Sequence, residues 1–165
     1  MLVVKTLNGN FAAVDRLLFE KAREVANVRI IDTVIPKAEI DGLIAACDCY
    51  VSRHRSEGFG VTIAEAMRLG KPVIATPWAG NMEFTTPGNS LLVRYELVTL
   101  KRDCGPYRRG TTWAEPDLDH AAFLMHNVVT ARDAGRALGE RTRADISRLL
   151  DPFVIGARMR GGSRG

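Results

Sequence analysis

Two glycines, Gly58 and Gly60, stand between a short β-rich run, Tyr50-Val51, and a stretch of helical apolar spacing that opens at Val61. This strand, turn, helix order constrains the chain more than any other feature. Glycine lets the backbone turn tightly and come close to a ligand. The helix start that follows aims free N–H groups and a positive dipole end at whatever lies there. Across Ser56-Glu57-Gly58-Phe59-Gly60-Val61-Thr62-Ile63-Ala64-Glu65-Ala66-Met67, one carboxylate precedes the glycines and a second falls inside the helix. Such a place suits an anion with hydroxyl groups on both sides, which is the chemistry of a sugar nucleotide.

The rest of the chain alternates in the same way. Leu2 to Thr6 is β-rich and ends at the turn signal Asn8-Gly9, and Phe11 to Val25 carries apolar residues at helical spacing. Val28 to Asp32 reads as a strand, and Pro36 opens a helix with an apolar face of Ile40, Leu43, Ile44 and Cys47. The Val61 helix is expected to run to about Leu69 and stop at Gly70. Strands follow at Pro72 to Thr76 and Leu91 to Val93, with a short turn or helix between them over Gly80 to Phe84. Glu96 to Trp113 shows no clear period and reads as a long functional or covering loop. Two helices close the chain. One opens near Pro116-Asp117 and carries Leu118, Ala121, Ala122, Leu124 and Met125; the other runs from about Asp133 to Leu150. The expectation is an α/β fold, a Rossmann-like parallel sheet with flanking helices over residues 1–150, and a flexible basic tail over 151–165. In such sheets ligands bind at the carboxyl ends of the strands, where the Glu57 loop lies.

Composition narrows the function classes. A net charge of +4 suits anionic ligands and peripheral contact with anionic lipid. It excludes little else, but the arginines are scattered and no basic stripe is interleaved with aromatics, so no nucleic-acid partner is expected. No apolar run reaches membrane-spanning length and no signal-peptide pattern follows Met1. Cys47, Cys49 and Cys104 are an odd set without a C-x-x-C pair. They read as free thiols, buried at Cys47 and Cys49, in a reducing cytoplasm.

The paired glutamates, with Gly58-Phe59-Gly60 after the first, resemble the signature of glycosyltransferase family 4, retaining enzymes of the two-domain GT-B fold. Gly70-Lys71-Pro72-Val73-Ile74-Ala75-Thr76 and Gly80-Asn81-Met82-Glu83-Phe84 extend the likeness. Gly105-Pro106-Tyr107 and Trp113-Ala114-Glu115-Pro116-Asp117 are similar to a subgroup that builds polysaccharides. The resemblance implies the C-terminal, donor-binding half of a GT-B fold, lacking its first strand and helix. In the order 3-2-1-4-5-6 the absent strand is central, so the sheet should break between the Leu2 and Tyr50 sides. It also implies transfer of a hexose from a nucleoside diphosphate sugar to a glycan or lipid-linked acceptor, with no metal and no resident cofactor. Glu57 is then the catalytic candidate and contacts donor-sugar hydroxyls. Gly58, Phe59 and Gly60 line sugar and phosphates, Val61 and Thr62 face the diphosphate, and Glu65 binds ribose hydroxyls. The family's catalytic histidine belongs to an N-terminal acceptor domain, so this chain is expected to need that domain or a partner chain. The alternative is a noncatalytic sugar-nucleotide-binding module or an inactive fragment.

Other readings of the same residues carry less. A glycosidase acid–base pair at Glu57 and Glu65 leaves the glycines unexplained, and Glu65 could instead pair with Arg68 one turn on. Arg55 is a phosphate-contact candidate, balanced against a solvated loop. His54 is weaker, and Lys5 and Lys71 are weaker still. Asn81 is either a donor contact or a helix cap. The triplet Asp117-Leu118-Asp119 holds a metal in another glycosyltransferase class, but here it opens a helix, where acidic residues need no further reason. A dinucleotide site is disfavoured because no G-x-G-x-x-G follows the first strand.

Overall fold

A computed structural model describes residues 1–6, 13–151, 153, 154 and 156. The chain divides into two compact units, Met1–Ile40 and Asp41–Gly165. In the first, β1 (Leu2–Thr6) and β2 (Val28–Asp32) pair in parallel, with Leu2 opposite Val28 and Thr6 opposite Asp32. The crossover between them carries α1 (Ala13–Glu24), as a parallel connection requires. The expected turn at Asn8-Gly9 and the helix start at Phe11 lie outside the described residues. Pro36 begins α2 (Lys37–Ala46), its carbonyl accepting from the Glu39 and Ile40 amides at 3.0 and 3.1 Å.

The second unit is built on three parallel strands, β3 (Tyr50–Ser52), β4 (Val73–Ala75) and β5 (Leu91–Leu92), in that order. β4 is central, and its residues Val73, Ile74 and Ala75 are all fully buried, as in a strand covered on both faces. On one face Ile74 packs with Val93 and with Ala121, Leu124 and Val128 of α4 (Leu118–Thr130). Alternation turns Val73 and Ala75 the other way, and α3 (Val61–Arg68) lies against β3 and β4. Ile63, Ala66 and Met67 of α3 are fully buried. Each large side chain so buried contributes about 1.5–3 kcal/mol. α5 (Arg132–Leu149) packs on α3 and α4 and buries Leu138, Thr142 and Ile146. Among the described residues, β1 and β2 form one parallel sheet in the first unit, and β3, β4 and β5 form another in the second.

α3 ends as its sequence predicts. Gly70 takes a left-handed φ of 69°, its amide donates to Met67 O at 3.0 Å, and the Lys71 amide donates to Ala66 O at 3.0 Å. These two bonds close the helix in a Schellman motif. α4 likewise opens on Asp117, whose carboxylate accepts from the His120 amide at 2.8 Å and pairs with Arg94 at 2.9 Å. Leu118, expected on the apolar face, is instead exposed, because the buried stripe falls on Ala121, Leu124 and Val128.

One expectation is overturned. Residues 96–113 are not an open excursion: β6 (Tyr95–Thr99) and β7 (Thr112–Pro116) form an antiparallel pair. Leu97 and Val98 are both exposed, so β6 lacks the alternation that marks a half-buried strand. Gly105 and Gly110 turn the long connection with positive φ.

Candidate donor-binding site

The loop from β3 to α3 is assembled by short-range braces. His54 bridges Ser52 Oγ on one ring nitrogen, at 3.0 Å, and Asn81 Oδ1 and Trp78 O on the other, at 3.2 and 3.3 Å. The Gly80 amide donates to Glu57 O at 3.1 Å. Gly80 is required there by close approach, since a Cβ at this position would lie 2.8 Å from Phe59 Cα and inside the Gly58 carbonyl. Its neighbour Ala79 holds φ 72° and ψ −140°, a region that costs a residue with a Cβ about 1–3 kcal/mol. Phe59 rests on buried Phe84, ring centroids 5.2 Å apart.

Gly60 caps α3 in the left-handed conformation, φ 87°, and offers no side chain to the helix start. The first intrahelical bond comes from Ala64 to Gly60 O. The amides of Val61, Thr62 and Ile63 therefore have no partner within the helix. The Tyr50 hydroxyl donates to Thr62 Oγ1 at 2.8 Å. Thr62 keeps its own proton for a further acceptor. Burial pushes the Tyr50 phenol up, the Thr62 hydrogen bond opposes this, and the Glu57 and Glu65 carboxylates add to it. The phenol thus lies within electrostatic reach of both glutamates. Glu57 and Glu65 are each half-buried, and Val61, Thr62 and Glu65 share one helix face by spacing.

Two expected contacts take other positions. Asn81 is fully buried: its amide nitrogen donates to Thr76 O at 3.1 Å and Thr85 Oγ1 at 3.3 Å, while its oxygen meets His54. It sits behind the loop, neither capping a helix nor facing the open side. Arg55 is drawn to the hairpin. Its guanidinium donates to Glu115 at 2.6 and 2.7 Å and lies 5.1 Å from the centre of the Trp113 ring. The carboxylate fork is a fixed partner where the sequence could show only a loop cation. Lys5 donates to the adjacent Thr6 carbonyl within the first unit. Lys71 borders a small cavity with Arg132 and Arg136, at the amino ends of β3 and β4, opposite the loop. The sequence does not single out the contacts of Tyr50 and Glu115, because neither residue falls inside the Gly-rich motif. Their signal is positional: Tyr50 opens the strand that feeds the loop, and Glu115 alternates outward from buried Ala114 and Pro116.

Among the described residues no helix is long and apolar enough to cross a membrane. Cys47, Cys49 and Cys104 are free, the first two half-buried rather than buried and the third exposed.

Residues 8–99, more than half of the chain, match the family described as Glycosyl transferases group 1. No curated protein matches the sequence. Among solved structures, the chain is similar to Anabaena Alr3699/HepE in complex with UDP and glucose, at 24% identity and a TM-score of 0.69, covering 98% of this chain and 39% of that one. The same protein in complex with UDP-glucose matches at 20% identity and a TM-score of 0.68, covering 97% and 39%. Its complex with UDP matches at 22% and 0.67, covering 98% and 40%. At such identity the likeness shows the fold, and the chain spans about two fifths of the length of those solved chains. By the match over residues 8–99, the chain belongs to the glycosyl transferases group 1 family.

Proposed function

We propose that this chain is the donor-binding portion of a retaining hexosyltransferase that moves a sugar from a nucleoside diphosphate sugar to a glycan or lipid-linked acceptor in polysaccharide assembly. The observation that carries this reading is the start of α3. An uncapped left-handed Gly60 leaves three amides open, with a half-buried carboxylate on either side. The diphosphate lies on those amides and on the Thr62 hydroxyl. Glu65 takes ribose hydroxyls and Glu57 takes hydroxyls of the donor sugar beside the reacting carbon. Gly58, Phe59 and Gly60 line the passage between them. The bond from the anomeric carbon to the phosphate oxygen breaks, one to the acceptor oxygen forms on the same face, and the acceptor hydroxyl's proton passes to the leaving diphosphate. Charge gathers on the leaving diphosphate, where fixed N–H dipoles act most strongly.

The UDP and UDP-glucose complexes of the structurally similar Anabaena protein support a nucleotide-sugar ligand. No resident metal or cofactor is invoked: Asp117, first of the D-x-D triplet, is engaged in capping α4 and pairing Arg94. Because the chain spans 39% of those solved chains, turnover is proposed for the chain acting with an acceptor-binding domain or partner chain. Three free cysteines suit a reducing, cytoplasmic setting.

Calorimetric titration of the 165-residue chain with UDP-, GDP- and ADP-sugars tests the reading. One nucleotide sugar should bind, and Glu65→Ala should weaken it about tenfold, the loss of a charge-assisted hydrogen bond. Absence of binding across the panel, or an unchanged affinity in the variant, refutes it.

A further inference from the structure

The β6–β7 hairpin meets the Glu57 loop through a coherent set of contacts. The Ala114 amide of β7 donates to Arg55 O at 3.0 Å, tying the loop backbone to the strand. Glu115, the next residue, grips the Arg55 guanidinium with both carboxylate oxygens. Trp113, on the other side of Ala114, lies under that guanidinium, and Tyr107 meets the Trp113 ring edge-on at 5.7 Å. Three consecutive residues of β7 thus hold one residue of the loop. The Arg55 and Glu115 side chains remain 52% and 39% exposed. A pair so exposed adds little to global stability. Its effect is local, because Arg53 and Ser56 near it are exposed, while Gly58 and Phe59 further along are seated on Gly80 and Phe84.

We propose that the hairpin positions the Glu57 loop, with Glu115 as a positioning residue acting through Arg55, so that recognition of the donor sugar depends on the hairpin while recognition of the nucleotide does not. The division follows from what holds each carboxylate. Glu65 rides on α3, which is fixed by fully buried Ile63, Ala66 and Met67. Glu57 lies two residues from Arg55 in a loop whose other backbone tie is the Gly80 amide. Release of the Arg55 side chain removes the hairpin's side-chain grip nearest Glu57 and leaves the His54 bonds and the Ala114 and Gly80 amides to hold the loop. This inference rests on the donor-site reading above and adds a residue to it.

The test compares the tightest-binding nucleotide sugar of the panel, UDP-glucose as first probe, with its nucleoside diphosphate. Glu115→Ala should weaken the nucleotide sugar about fivefold and leave the diphosphate within about twofold. Glu115→Gln, which keeps one acceptor, should fall between. Arg55→Gln combined with Glu115→Ala should lose no more than Glu115→Ala alone, since the two act as one brace. Equal losses for both ligands would show a general structural role and overturn the proposal, as would unchanged affinity for the sugar. Additive losses in the double variant would overturn it too, because Arg55 would then act on the ligand directly. A wild type that binds neither ligand removes the donor-site reading itself.

Discussion

Gly80→Ala isolates the closest backbone approach in the site. The Gly80 amide donates to Glu57 O at 3.1 Å, and a Cβ there would lie 2.5 Å from the Gly58 carbonyl carbon and 2.8 Å from Phe59 Cα. The Gly58 carbonyl oxygen lies closer still, and non-bonded heavy atoms rest at roughly 3.5–4.0 Å, so the Gly58–Phe59 backbone must retreat by about 1.5 Å. Overpacking of this kind costs about 1–3 kcal/mol. The retreat also breaks the amide bond to Glu57, worth about 0.5–1.5 kcal/mol net. It further pulls Phe59 from Phe84. Together the loss is about 2–4 kcal/mol, a large share of an ordinary domain's roughly 5–15. Urea denaturation at 25 °C measures it, with Gly88→Ala as the control, because a Cβ at Gly88 meets only Thr86 Oγ1 at 3.6 Å. The control should be neutral or gain a few tenths of a kcal/mol through a stiffer unfolded chain, at about 0.4–1 kcal/mol at most. If Gly80→Ala unfolds within about 0.5 kcal/mol of wild type, the ordinary range for surface changes, the loop is not packed as described and the argument for Glu57's position fails.

Further outcomes follow from neighbouring geometry. Ala79→Gly relieves the positive φ and should raise stability by about 1 kcal/mol, a strain of about 1–3 less the added chain entropy; a lower melting temperature would contradict the strain. The His120 backbone amide, and next the Arg94 guanidinium, hold the Asp117 carboxyl below the usual carboxylate range. Its stabilising effect is therefore complete above the ordinary carboxylate pKa and is lost as pH falls through the depressed folded-state value. Asp117→Asn, which caps without ionising, should flatten the melting curve below about pH 4; parallel acid profiles for the two proteins would refute this. Burial, first, and the adjacent Cys47 push the Cys49 thiol up to about 12, while Cys104 is exposed. Iodoacetamide at about pH 8, near the ordinary thiol value, should label Cys104 well before Cys49, read by peptide mass spectrometry; the reverse order would show that β3 is not seated in the core.

The alternation of strands and helices, the Gly-rich turn and the Gly70 stop are legible in the residues, because each rests on local physics. A Cβ-free residue is needed where φ is positive, a helix start bares its amides, and apolar spacing marks the side that will be buried. Local spacing alone puts Glu57 in the loop before α3 and Glu65 inside that helix. The tertiary structure decided what depends on partners distant in sequence. Arg55 meets Glu115, 60 residues later, so a loop cation becomes a brace. Asn81 is buried behind the loop by contacts to Thr76, Thr85 and His54. The β6–β7 pair forms although Leu97 and Val98 are both exposed, since antiparallel hydrogen bonding and the Trp113 cluster hold it without a buried face on β6. Periodicity reports only burial along one segment, whereas the choice among partners is made by the fold that brings segments together.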